Sequence, residues 1–145
     1  GTVEAEQFLL VQKHFGSKEH NITIDNWSTT SKKDTQEYSE AEITATVNGT
    51  PKTEKREVQG GPVDALFHAL KSIIESTKDP IDMKLVNYKV AIAKDQGVES
   101  SVRVYIEFQS NRSEWGNIGV STNILEASLE AITKGFLYYL LQQEE

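Results

Sequence analysis

The spacing of the apolar residues changes twice along this chain, each time from every second residue to every third or fourth. A period of two is typical of a half-buried strand, and a period near 3.6 is typical of an amphipathic helix. In each half of the chain, three strand-like segments precede one helix-like segment. This repeated order predicts an internal duplication of a βββα unit, over residues of about 22–78 and 83–142.

In the first repeat, the clearest strand runs from Glu42 to Val47, where apolar and polar residues alternate. Asn48-Gly49 follows it and favours a type I′ hairpin turn, because both central residues of that turn need positive φ. The predicted strands are residues 22–30, 42–47 and 53–58, with a polar loop at 31–34. After Gly60-Gly61-Pro62, apolar residues at steps of three and four predict a helix that ends near Ser76.

The second repeat follows the same order. Its predicted strands are residues 85–92, 102–108 and 114–120, with a turn at Ser110-Asn111. The alternation in the first of these strands predicts one shared face for Val86, Tyr88, Val90 and Ile92. Asn123 and Glu126 have the spacing of a capping box, so a helix is predicted from there to Leu141.

The second helix carries two apolar stripes. Ala127, Ala131 and Gly135 recur every four residues and leave a smooth surface that another element can approach closely. The bulky stripe is formed by Leu125, Leu129, Ile132, Phe136 and Leu140. A helix that is apolar on two sides is buried on two sides, either inside the fold or across a subunit contact. The sequence leaves these two alternatives equal.

The length and composition of the chain agree with one α+β domain, in which the two repeats pack together with helices on one face of the sheet. The net charge of −7 and the scattered basic residues exclude the usual footprint for nucleic acid. The chain has no cysteine, no long apolar run and no signal peptide, so a cytoplasmic location is expected. Residues 1–20 are weakly patterned and are interpreted as a linker segment.

Catalytic patterns are missing from the sequence. The histidines are His14, His20 and His68, and none has an acidic or serine partner at a recognisable spacing. His68 flanks the apolar stripe of the first helix, which is typical of a boundary histidine. No two of the 22 carboxylates lie at helical spacing on an otherwise apolar face. A stand-alone acidic enzyme is therefore disfavoured, and no catalytic or metal-binding residue is predicted.

The two helix starts are the features that suit a ligand. Each follows a strand through a short turn, at Gly61 to Asp64 and at Thr122 to Ile124. Exposed N–H groups and the positive end of a helix dipole favour a carboxylate at such a place. The alternative is an ordinary capped helix start, and spacing alone favours that alternative.

Three segments resemble a known family. Gly61 to Ala65 reads GPVDA, Leu85 to Val90 reads LVNYKV, and Trp115 to Ser128 reads WGNIGVSTNILEAS. Together they resemble the LeuA allosteric (dimerisation) domain, which is the C-terminal domain of 2-isopropylmalate synthases and citramalate synthases. The resemblance covers residues 22–141 in the right order, and the Trp115 to Ser128 segment is specific. It implies two βββα units and a homodimer, in agreement with the duplication.

The resemblance also implies a function. Leucine or isoleucine would bind as an allosteric effector and inhibit a catalytic barrel that lies N-terminal in the same chain. That barrel would condense acetyl-CoA with a 2-oxo acid by using a divalent metal, whereas this part of the chain would bind no cofactor and catalyse nothing. The alternative is a dimerisation module of the same family that binds no effector.

The implied effector contacts combine the two helix starts with an apolar wall. The carboxylate of the effector would suit the N–H groups near Gly61 to Asp64 or Thr122 to Ile124, and Asp64 would suit its ammonium group. The complete predicted set is Gly61, Val63, Asp64, Leu85, Tyr88, Ile92, Val102, Thr122 and Ile124. Three features depart from the family pattern, namely Gln59-Gly60 before the first helix, Asn87 where aspartate is common, and a longer loop at Ser31 to Tyr38.

Overall fold

The computed structural model of the protein describes residues 20–77, 79–93 and 101–144. The described residues form two compact units, an N-terminal repeat of residues 20–81 and a C-terminal repeat of residues 82–144. Most of the predicted linker, residues 1–19, lies outside the described residues, as does His14.

The N-terminal repeat is an antiparallel sheet of three strands with one helix on it. Its elements are β1 (Ile22–Lys33), β2 (Glu37–Val47), β3 (Thr50–Gln59) and α1 (Pro62–Glu75). The strand order is β1-β2-β3, and α1 packs mainly on β2 and β3. On the central strand, Ala41, Ile43 and Ala45 face the helix and are fully buried. They form the core of this repeat with the apolar stripe of α1, which contains Leu66, Leu70, Ile73 and Ile74.

The predicted hairpin turn between β2 and β3 is confirmed. Asn48 and Gly49 both have positive φ, at 51° and 88°, as a type I′ turn requires. The side-chain oxygen of Asn48 accepts a hydrogen bond from the N–H of Asn21, at 2.8 Å. The turn is therefore attached to the residue that precedes β1.

The predicted polar loop at residues 31–34 is wrong in its extent. Strand β1 continues to Lys33 and β2 begins at Glu37, so the connecting turn contains only residues 34–36. Lys33 pairs with Glu37, and the hydroxyls of Ser31 and Ser39 lie 2.9 Å apart across the two strands. Because β1 is an edge strand and this end of it is exposed, its residues are polar and resemble a loop in composition.

The C-terminal repeat has the same plan. Its elements are β4 (Lys84–Ala93), β5 (Ser101–Gln109), β6 (Glu114–Ser121) and α2 (Ile124–Gln142). The strand order is β4-β5-β6, and α2 packs mainly against β6 and β5. The predicted α+β class with two βββα units is thus confirmed. The packing of the repeats on each other, and the dimer, remain predictions.

Trp115, which opens the most specific sequence segment, lies in the core of the C-terminal repeat. It is 2% exposed and stands opposite Phe108 on the neighbouring strand. Its ring centroid lies 5.4 Å from that of Tyr138 and 6.4 Å from that of Tyr139. The hydroxyl of Tyr139 accepts a hydrogen bond from the N–H of Asp82 at 3.0 Å. This aromatic cluster attaches the end of α2 to the start of the repeat.

The small stripe of α2 faces its own sheet. A Cβ on Gly119 of β6 would overlap the carbonyl oxygen of Ala127 and lie 2.9 Å from the nitrogen of Ala131. A Cβ on Gly135 would lie 2.7 Å from Cζ of Phe108. Small residues on both elements therefore allow a close approach between helix and sheet. Of the two predicted alternatives, burial inside the fold and burial across a subunit contact, the small stripe therefore shows the first.

We expect Gly119→Ala to destabilise the protein by about 1–3 kcal/mol, because the added methyl group meets helix backbone that cannot move aside. Gly61→Ala is the matched control, since a Cβ there has no heavy atom within 4 Å. The free energy of unfolding in urea, measured for both variants, checks this expectation. Equal stabilities for the two variants would contradict the close approach.

Candidate functional site

Strand β4 contains a bulge that decides which of its side chains face the helix. Leu85 pairs with Phe108 and Tyr88 pairs with Ile106, with the irregularity between Leu85 and Asn87. Because Phe108 and Ile106 share the helix-facing side of β5, Leu85 and Tyr88 share it too. The predicted alternation did not place Leu85 on the face of Tyr88, because an alternation counted along the sequence cannot reveal an inserted residue.

Asn87, which lies beside the bulge, forms two hydrogen bonds with its side chain. The side-chain amide of Asn87 donates to a carboxylate oxygen of Glu107 at 2.7 Å. Its side-chain oxygen accepts from the N–H of Tyr88 at 2.9 Å. An aspartate here would place a second carboxylate beside Glu107. Asparagine therefore fits this sheet better, on a face opposite to that of Tyr88.

The helix-facing side of β4 is apolar and is left partly uncovered. We name it the open β4 face, formed by Leu85, Tyr88, Val90 and Ile92. Ile92 is 68% exposed and Val90 is 42% exposed, whereas Val104 on the neighbouring strand is fully buried. The difference arises because α2 lies mainly over β5 and β6. These exposed apolar side chains make the open β4 face a candidate binding surface.

Tyr88 connects the open β4 face to the start of α2. Its hydroxyl lies 3.1 Å from the hydroxyl of Ser128, which is fully buried. The hydroxyl of Ser128 donates to the carbonyl oxygen of Ile124 at 2.7 Å. A serine has one hydroxyl proton, so Tyr88 is the donor to Ser128. The phenolic oxygen of Tyr88 therefore keeps its lone pairs for a donor on a ligand.

The turn between β6 and α2 lies beside the same end of the sheet. Val102 pairs with Ile92 on one side and with Ser121 on the other. Thr122 follows Ser121 directly and is exposed, and Ile124, the first residue of α2, is 42% exposed. The register thus brings Ile92, Val102, Thr122 and Ile124 to one end of the C-terminal repeat.

The start of α2 is capped by its own side chain. The side-chain oxygen of Asn123 accepts from the N–H groups of Leu125 and Glu126, at 2.8 and 3.1 Å. The N–H of Asn123 donates to the hydroxyl of Ser121 at 3.1 Å. Two N–H groups of the first turn are therefore already used. At this helix, the ordinary capped start accounts for the sequence pattern.

The start of α1 is different, because no side chain caps it. Gly61 is the N-cap residue and makes no side-chain hydrogen bond, and Pro62 has no N–H group. The N-cap residue therefore supplies no side-chain acceptor to the N–H groups of Val63 and Asp64. Gly60, with φ of 137°, precedes this turn and adopts a backbone conformation that favours glycine. Of the two helix starts, that of α1 is the one that suits a carboxylate.

Asp64 lies at the uncapped start of α1. A Cβ placed on Gly60 would be 3.5 Å from a carboxylate oxygen of Asp64, so the carboxylate lies beside the turn. Its side chain is exposed. Asp64 can therefore stabilise the helix dipole, contact an ammonium group, or do both.

His68 lies one turn after Asp64 and is half-buried. Its ring meets that of Phe67 edge to face, with 5.3 Å between the centroids. Burial lowers the pKa of His68 below its ordinary value of 6.5, and Lys71 and Arg56 act in the same direction, while Asp64 opposes them. These surroundings agree with a boundary histidine of the helix.

Because the pKa of His68 is lower in the folded protein, the unfolded chain takes up its proton first as the pH falls below 6.5. His68 should therefore make the protein less stable as the pH falls from 6.5 through the folded-state pKa. We expect the stability of His68→Gln to fall less steeply over this range. Urea unfolding at several pH values checks this, and equal slopes for both proteins would contradict it.

The described ranges contain no group of three or more histidine, aspartate and glutamate residues that could hold a metal ion. No helix within them is long and apolar enough to span a membrane.

The predicted effector contacts thus fall into two sets. Gly61, Val63 and Asp64 share the start of α1 in the N-terminal repeat. Tyr88, Ile92, Val102, Thr122 and Ile124 lie around the open β4 face and the start of α2 in the C-terminal repeat, and Leu85 lies towards the other end of β4. Sequence reasoning missed Ser128. Its spacing of four from Ile124 was a signal, but its contact with Tyr88 joins residues 40 apart.

Comparisons with known proteins agree with the resemblance. The sequence model of the LeuA allosteric (dimerisation) domain matches residues 2–140. The chain is 32% identical over 147 residues to an (R)-citramalate synthase of Aquifex aeolicus and 35% identical over 148 residues to one of Geobacter sulfurreducens. Each match covers 98% of this chain and 28% of the relative. A 2-isopropylmalate synthase of Bacillus cytotoxicus is 30% identical over 71 residues, or 49% of this chain.

Proposed function

The chain belongs to the LeuA allosteric (dimerisation) domain family, and from this premise we propose that it is the effector-binding regulatory domain of a citramalate synthase. The chain spans 28% of the length of the Aquifex and Geobacter relatives. In the proposal, a catalytic barrel with a divalent metal forms another part of the same protein and condenses acetyl-CoA with a 2-oxo acid. The part described here regulates that reaction as a homodimer and binds no cofactor.

Isoleucine is the first effector that we propose, with leucine as the second, because the resemblance pairs isoleucine with citramalate synthases and leucine with 2-isopropylmalate synthases. The matches to the two citramalate synthases extend over nearly the whole chain, whereas the match to the 2-isopropylmalate synthase of Bacillus covers about half. Isoleucine and leucine have equal numbers of carbon atoms, so the protein can separate them only by the shape of an apolar wall. Such a wall discriminates by about 1–3 kcal/mol.

The open β4 face is the observation that carries the proposal. Its side chains are apolar, yet Ile92 is 68% exposed and Val90 is 42% exposed. Covering them with a branched alkyl chain contributes about 0.8 kcal/mol for each buried CH₂ group. Beside them, the phenolic oxygen of Tyr88 can accept a hydrogen bond from the ligand, because its proton is committed to Ser128. An apolar wall with one fixed acceptor suits an amino acid with an aliphatic side chain.

The N-terminal repeat, taken by itself, offers groups that suit the polar end of an amino acid. The uncapped N–H groups of Val63 and Asp64 and the dipole of α1 favour a carboxylate. The carboxylate of Asp64 favours an ammonium group. A ligand that carried only a carboxylate would be repelled by Asp64, so the combination favours a zwitterion.

Calorimetry with isoleucine and leucine tests the proposal on the 145-residue chain. We expect saturable heat from one of them, with alanine as the control that lacks the branched chain. If neither gives heat while light scattering shows a dimer, the chain is a dimerisation module without effector binding. If the chain binds an effector saturably but is a monomer, the proposed homodimer is overturned and the proposed effector binding is supported.

Tyr88→Phe should raise the Kd of the effector about threefold to tenfold, because the phenolic acceptor is lost while the ring remains. Tyr88→Ala should weaken binding further and still unfold cooperatively. Tyr38→Phe is the control, because Tyr38 is exposed and lies in the other repeat. A collapse of the melting temperature in both Tyr88 variants would show that Tyr88 is an ordinary core residue.

Asp64→Asn should raise the Kd of the effector about tenfold, since a charge-assisted bond to the ammonium group is replaced by a neutral one. Asp79→Asn removes an exposed carboxylate from the same repeat and should leave the Kd unchanged. If Asp64→Asn lowers the melting temperature but leaves the Kd at the wild-type value, Asp64 serves only the helix dipole.

A further inference from the structure

The free edge of β6 is covered by side chains of α2. Strand β6 is the last strand of its sheet, so alternate residues on it direct N–H and C=O groups away from β5. The ammonium group of Lys134 donates to the carbonyl oxygen of Ile118 at 2.9 Å. The carboxylate of Glu130 accepts from the N–H of Val120 at 2.9 Å. The edge groups on both sides of Gly119 are thus bound by one helix.

These two side chains take the place of a neighbouring strand. A further strand would offer an acceptor to Val120 and a donor to Ile118, and the helix offers a carboxylate and an ammonium group instead. Both bonds are charge-assisted, which makes them stronger than bonds between neutral groups. Glu130 and Lys134 are four residues apart and lie on one side of the helix, with glutamate first, which is the favourable order for such a pair.

The covered edge leads directly into the turn that carries two predicted effector contacts. Val120 is followed by Ser121 and Thr122, and Ile124 begins α2. Gly119 already lies against the helix backbone at Ala127. The bonds of Glu130 and Lys134 therefore fix the last residues of β6 to the helix immediately before the chain turns.

We propose that Glu130 and Lys134 are positioning residues, which hold the turn between β6 and α2 so that Thr122 and Ile124 stand correctly for the effector. This role rests on the proposed function, because it assumes that the turn contacts the effector. Neither residue touches the ligand in the proposal. Each acts through the backbone of β6.

The test compares Glu130→Ala with Glu130→Gln in the 145-residue chain. Amide hydrogen exchange at Val120 reports the hydrogen bond itself, and calorimetry with isoleucine and leucine reports the site. Glu114→Ala is the matched control, because it removes an exposed carboxylate from the other end of β6. Lys134→Met gives a second and independent variant, which keeps the apolar stem and loses the donor.

We expect Glu130→Ala to speed exchange at Val120 about tenfold and to raise the Kd of the effector about fivefold. Glu130→Gln keeps an acceptor oxygen and should restore most of both values, and Lys134→Met should raise the Kd similarly. Faster exchange with an unchanged Kd in Glu130→Ala would overturn the positioning role alone. No binding of either amino acid by the wild-type chain would overturn the proposed function, and the positioning role with it.

If Glu130→Ala does not fold, the comparison of Lys134→Met with Lys134→Arg decides the matter. Arginine keeps a donor for the carbonyl oxygen of Ile118, and methionine does not. A wild-type Kd in both Lys134 variants would overturn the proposal. A raised Kd in Lys134→Met that Lys134→Arg restores would support it.

Discussion

The close contact between α2 and the sheet beneath it decides the shape of the C-terminal repeat. Neither Gly119 nor Gly135 has room for a Cβ, because the helix backbone and the ring of Phe108 occupy that space. This contact holds α2 over β5 and β6. The helix reaches Tyr88 but leaves Val90 and Ile92 of β4 exposed. The surface that we propose for the effector is thus a consequence of where the helix is held.

The two repeats have the same plan but differ at the starts of their helices. In the C-terminal repeat, Asn123 occupies two N–H groups of α2, and Glu130 and Lys134 occupy the adjoining strand edge. In the N-terminal repeat, Gly61 and Pro62 leave the start of α1 without a side-chain cap. One helix start is therefore capped by a side chain, and the other has an N-cap residue without a side-chain acceptor. In the proposed function, the carboxylate of the effector binds at the start of α1, because N–H groups without a side-chain cap favour an anion.

Much of the fold was predictable, since it depends on local patterns. Alternation along the strands, the Asn48-Gly49 turn and the helical spacing after Pro62 predicted the order of the eight described elements. The errors occurred where pairing with another strand overrides local composition. Strand β1 extends through a polar segment because β2 supplies its hydrogen bonds, and the bulge near Val86 exists only relative to β5. For the candidate site, the resemblance pointed to Tyr88 and Asp64, and the sequence contained no pattern that would link Tyr88 to Ser128.

The sequence by itself determined the βββα duplication, the turn residues and the family, because each of these is encoded in neighbouring residues or in short segments. The tertiary structure alone decided which stripe of α2 faces the sheet and which side of β4 stays open. It also decided that Glu130 and Lys134 cover the edge of β6. These features depend on contacts between residues that are distant along the chain. Their geometry is fixed only when the helix packs on the sheet, at a distance set by the small residues in the contact.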